Sequence, residues 1–177
     1  MPILQTINPA EATGKVADIY RQAEQAFGRV PNALQMYSSS PAMLEQQWHS
    51  IGYYMSHPTL GLPLLATIRM LVSQENECAY CVGFNAAMLI NVCKQTPEQI
   101  AATKNNPQTA PLNDNDKAML MLVLKATSTP KAVTSEDLQA LRTLGWRDAD
   151  IMDAVSHGAR NMAVDYIFNA FKVENDF

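Results

Sequence analysis

The chain has 177 residues, 47% of them hydrophobic and 17% charged, with a formal net charge of −4 at pH 7. That length fits one domain spanning residues 1–177, and the composition excludes disorder as the main description. An acidic balance without any Lys/Arg run excludes an electrostatic footprint for nucleic acid or an anionic membrane surface.

The opening MPILQTINPAEATG has neither a basic nor an apolar segment, so no secretory signal is expected. The most apolar stretch, around Cys81 to Cys93, is interrupted by Asn85 and Asn91 and is too short to span a membrane. Cys78, Cys81 and Cys93 make an odd count, unlike a secreted disulfide framework, and point to a reducing compartment, the cytoplasm.

In chain order, Asn8-Pro9-Ala10-Glu11 reads as a cap with proline at the first helical position. The helix it predicts carries Val16, Ile19, Tyr20, Ala23 and Phe27, and Gly28 closes it. Ser40-Pro41 opens a second helix, with Leu44, Trp48, Ile51 and Met55 on one face. Gly61 to Pro63 breaks the chain before a helix bearing Leu65, Ile68 and Val72, and Asn76 is read as the cap of a helix from Glu77 towards Lys94. Thr96 and Gln99 form a capping box whose short helix ends before Asn105-Asn106-Pro107.

Asn113 caps a segment with Met119, Leu122, Val123 and Ala126, and Thr134 with Asp137 caps another that Gly145 ends. The longest helix is expected from about Asp148 to Lys172, with Met152, Val155, Ala159, Met162, Tyr166 and Ala170 along one side. No segment alternates with period two, so the predicted fold is all-α, with about eight or nine helices.

One motif is sharp: Cys78-Ala79-Tyr80-Cys81. A spacing of three on a helix brings both sulfurs to one face, where one thiolate can attack and the other thiol resolve. A helix start adds unpaired N–H groups and a dipole that favour an anion. Two buried structural cysteines would fit the same spacing. Zinc is not expected, because structural sites want four Cys or His ligands while His49, His57, His157 and Cys93 stand apart. No cofactor is expected either.

Gly28-Arg29-Val30-Pro31-Asn32, the Ser40-Pro41 helix start, Val72-Ser73 ahead of Asn76-Glu77-Cys78-Ala79-Tyr80-Cys81, and the closing Asp150 to Phe171 helix together resemble the alkylhydroperoxidase-like (AhpD-like) carboxymuconolactone decarboxylase family, in its peroxidase-related branch. The resemblance covers nearly the whole chain. It implies an all-helical fold assembling into trimers or hexamers, and thiol-dependent peroxide reduction with Cys81 attacking and Cys78 resolving.

Two positions depart from the family pattern. Where active members carry a Glu and a His that ionise the attacking thiol, this chain has Ala66 and Asn85. An amide can hydrogen-bond a thiolate but cannot take its proton near neutral pH. Tyr80 matches a residue the family uses beside the thiols, and its phenol is a candidate donor; an aromatic packed in the first turn is the alternative. Glu75 and Glu77 are expected in solvent, and His49 or His57 could replace the missing base.

The expected function is a slow thiol oxidoreductase acting on a hydroperoxide or a small disulfide, with a thiol reductant as its other partner. A non-catalytic redox sensor or scaffold is the second reading, and a carboxymuconolactone-type decarboxylase the third.

Overall fold

A computed structural model describes residues 3–176 and, among them, contains nine α-helices, three short 3-10 turns and no strand. The all-α expectation holds. The described residues form two compact units, one of the residues up to His57 with Ile167–Asp176, the other of Pro58–Tyr166.

The first unit contains α1 (Gly14–Phe27), α2 (Asn32–Tyr37) and α3 (Pro41–Met55). Asn8 does cap, its side chain accepting from the Ala10 N–H at 2.9 Å, but what it caps is a 3-10 turn, and α1 starts afresh after Thr13. Gly28 ends α1 at φ 75°, a left-handed conformation costly for residues with a Cβ. The sequence reading contains no α2, a six-residue helix burying Leu34, Met36 and Tyr37; one and a half turns are too few to display a period. Trp48 of α3 packs edge-on against Phe27 at 6.2 Å and donates to Gln22 at 2.8 Å.

The second unit holds α4 (Leu62–Glu75), α5 (Ala79–Asn91), α6 (Pro97–Asn105), α7 (Asp114–Ser128), α8 (Ser135–Thr143) and most of α9 (Asp148–Phe171). Leu64 to Ile68 and Met70 to Ser73 of α4 are all buried, as expected of a helix surrounded by others. The expected capping boxes are present at Thr96 with Gln99 and at Thr134 with Asp137. Gly158 sets the approach of α9 to α7, since a Cβ there would lie 2.6 Å from Val123 Cγ1.

The expected apolar side of α9 is largely its outer one: Met152 and Tyr166 are 66% and 61% exposed. Its buried side carries Ile151, Ala154, His157, Asn161 and Asp165. Apolar periodicity alone misplaces such a face, because polar groups can be buried once hydrogen bonds offset their lost hydration.

At the start of α9, buried Asp150 accepts from the Arg147 N–H (3.1 Å), Nε and Nη2 (2.9 Å each), and from Thr59 Oγ1 at 2.6 Å. The Arg147 side chain is the chief reason that its carboxyl titrates well below the usual range. A depressed carboxylate stabilises the fold above its unfolded pKa of about 3.9, and that stability is lost as pH falls towards the folded value. Asp150→Asn should therefore lower urea stability by roughly 2 kcal/mol near neutrality, and the gap should narrow below about pH 3. No helix among the described residues is long and apolar enough to cross a membrane.

Candidate functional site

The site lies in the second unit, where the chain turns from α4 into α5. Asn76 ends α4, Glu77 adopts a left-handed φ of 54°, and the Cys78 N–H donates to Ser73 O at 2.9 Å. Cys78 itself is the N-cap of α5, so Asn76 does not cap that helix and only Cys81 lies within its first turn. A cap side chain faces the free N–H groups of the first turn. Cys78 Sγ accordingly accepts the Cys81 N–H at 3.4 Å.

A third residue completes the cluster. The two sulfurs and a carboxylate oxygen of Asp165, from α9, lie within 4.8 Å of one another, and all three residues are buried. Ser73 donates to Asp165 Oδ1 at 2.8 Å, while the amides of Asn76 (3.0 Å) and Asn161 (3.1 Å) donate to Oδ2. Asn161 also donates to Ser73 Oγ at 2.7 Å, which locks the serine hydroxyl towards the carboxylate. A carboxylate offers about four lone-pair sites, so three donors leave it capacity for one thiol proton or one cation.

The two thiols share their protons unequally. The Cys81 thiol donates to Cys78, which is the main reason the Cys78 pKa falls and that of Cys81 rises. Burial and the Asp165 charge push Cys81 further up. The N-cap position fits this polarity, since a helix start favours an anion on Cys78. Arg69 of α4 supplies the nearby positive charge: desolvation lowers its guanidinium to about 10, and attraction to Cys81 opposes that fall. Its Nε is buried without a hydrogen-bond partner, and Nη2 meets Met88 Sδ at 3.6 Å.

Of the residues expected at the site, Cys78 and Cys81 are brought together. Tyr80 is buried and stacks on Phe84, 6.0 Å between ring centroids. Asn85 is buried one turn beyond Cys81, where its amide donates to Cys81 O at 2.8 Å and its Oδ1 has no partner. That amide is therefore spent on backbone. Ala66 is fully buried, on the α4 face that also carries Arg69 and Ser73. Glu75 and Glu77 are exposed, as expected.

His49 and His57 belong to the first unit, where His57 packs edge-on against Tyr53 at 5.6 Å. His157 is buried in α9, its Nε2 3.3 Å from Leu65 O. Cys93 is half-buried beyond the C-terminal end of α5, whereas Cys81 lies in the first turn of that helix. Asp165, with Ser73, Asn76 and Asn161 around it, and Arg69 near Cys81 are what sequence reasoning missed. The available signal was the polar series His157, Asn161 and Asp165 at intervals of four, a stripe along a helix face.

No family model matches the chain. Over 127 residues, 72% of the chain, it is 25% identical to an alkyl hydroperoxide reductase of Mycobacterium tuberculosis. That match covers 36% of the relative, so the chain spans about a third of its length. Among solved structures, it is similar to the alkylhydroperoxidase AhpD core of a peroxidase-related protein from Ralstonia eutropha (TM-score 0.87, 20% identity, 99% of this chain and 92% of that one). A peroxidase-related protein from Silicibacter gives a TM-score of 0.86 at 21% identity, covering 98% of this chain and 90% of that one. A debrominase in its apo form gives 0.79 at 14% identity, covering 98% and 92%. The fold is the AhpD-like helical fold. The sequence match to an alkyl hydroperoxide reductase agrees with that fold.

Proposed function

We propose that this protein is a cytoplasmic thiol oxidoreductase that reduces organic hydroperoxides through Cys78 and Cys81, with Asp165 in place of the family's Glu and His relay. The observation that carries the reading is the convergence of two sulfurs and a buried carboxylate within 4.8 Å. The thiolate attacks one peroxide oxygen, the O–O bond breaks, and the alkoxide leaves as an alcohol with the proton that Asp165 took from the thiol. The second thiol then displaces hydroxide from the sulfenic acid, releasing water and closing the Cys78–Cys81 disulfide. An external dithiol returns both electrons and both protons. Association into trimers or hexamers belongs to the same proposal, supported by the likeness of fold and by the exposed Met152 and Tyr166 on α9.

Burial of both cysteines, at 1% and 5% exposure, favours a second reading: a sensor whose pair oxidises but does not cycle. The deciding test supplies an alkyl hydroperoxide and an excess of small dithiol to the reduced protein. Many alcohols formed per protein chain support the enzyme. One alcohol per chain followed by a stable disulfide supports the sensor.

A further inference from the structure

We propose that the reduced pair and Asp165 also form a binding site for a thiophilic divalent cation, with zinc as the ion to test, so that metal binding and oxidation exclude each other. The donor set consists of two cysteine sulfurs and one carboxylate oxygen, all within 4.8 Å of one another. In a tetrahedral zinc site the sulfurs stand about 3.8 Å apart and sulfur and oxygen about 3.5 Å apart, given Zn–S near 2.3 Å and Zn–O near 2.0 Å. Closing the cluster onto an ion thus needs movements of roughly 1 Å or less. Three protein ligands leave a fourth position for water or an external thiol, the pattern of open zinc sites.

The surroundings match as well. Metal-bound carboxylates are usually held by hydrogen bonds of their own. Here Ser73, Asn76 and Asn161 hold Asp165 while leaving it capacity for one further bond. Charge closes too: two thiolates and a carboxylate carry −3, the Arg69 guanidinium near Cys81 returns +1, and a divalent ion neutralises the remainder. Zinc enters as two thiol protons leave to water. A cavity of about 340 Å³ beside α4, α6 and α7 has in its wall Asn76, the residue that donates to Asp165. A disulfide removes both sulfur ligands, so a protein oxidised at Cys78 and Cys81 releases the ion.

The test titrates zinc into the fully reduced full-length chain against a chromophoric chelator, with Cys93→Ser as the background. One equivalent should bind, with affinity falling tenfold to a hundredfold or more in Asp165→Asn and in each Cys→Ser variant. Disulfide formation should abolish binding. Cobalt on the unmutated chain should give the thiolate charge-transfer and tetrahedral ligand-field bands of a site with two sulfurs, a readout that does not depend on any variant folding. Zinc that still binds after disulfide formation, or equally well to Asp165→Asn, overturns the proposal, as does the absence of binding at micromolar zinc. Because no peroxide enters this experiment, its outcome is separate from that of the peroxidase reading.

Discussion

Asp165→Asn is expected to slow hydroperoxide reduction about a hundredfold near neutral pH while making the same thiols easier to alkylate. The two directions have one cause. The carboxylate repels a thiolate on either cysteine, so its removal enlarges the thiolate fraction. Alkylation by iodoacetamide needs only that thiolate, and iodide leaves without a proton. Peroxide cleavage also needs a proton on the departing alkoxide, and general acid–base help of this kind typically contributes 10²–10⁴-fold. Cys78, held below the ordinary thiol value by the Cys81 hydrogen bond, is already at least a few per cent ionised at neutrality, so its gain in thiolate is roughly thirtyfold at most. The lost proton transfer therefore prevails for peroxide. Parallel measurement of both rates checks this, and a variant slowed equally in both reactions would mark Asp165 as structural support alone.

The second large effect separates the two cysteines. Either Cys→Ser change should abolish turnover by at least about a hundredfold, since the disulfide cannot close. Their single-turnover behaviour should differ. Cys81→Ser keeps a hydroxyl that can donate to Cys78 Sγ, and Cys78 remains the N-cap sulfur facing the N–H of residue 81. One equivalent of peroxide should then leave a sulfenic acid on Cys78 that dimedone traps. In Cys78→Ser, Cys81 loses its sulfur partner but keeps the repulsion of Asp165, and it should react far more slowly. The family resemblance assigns attack to Cys81, so trapping mainly at Cys81 would support that order over the hydrogen-bond polarity described above.

Much of the helical framework was legible because caps and periods are local. Thr96 with Gln99 and Thr134 with Asp137 fix helix starts through contacts three residues apart. The turn at Cys78 was misread because its cap is a cysteine, a residue outside the usual capping set, and because Asn76, which resembles a cap, instead donates its amide to Asp165. Asp165 escaped for a different reason. It is far from Cys81 in sequence, and a lone acid on a long helix ordinarily faces water. Only the hydrogen bonds from Ser73, Asn76 and Asn161 make its burial tolerable, and the first two cross from α4 and its end to α9. The absence of the relay at Ala66 and Asn85 was plain in the sequence; the buried carboxylate beside the two thiols was not.

The most direct test of the central claim, that Cys78, Cys81 and Asp165 form one redox centre, is a single-turnover titration of the reduced full-length chain with an alkyl hydroperoxide, followed by thiol counting and peptide mapping. The account predicts one alcohol formed and two thiols lost per chain, a Cys78–Cys81 disulfide, and Cys93 still free. Peroxide left unconsumed, or a dominant disulfide that includes Cys93, would contradict it.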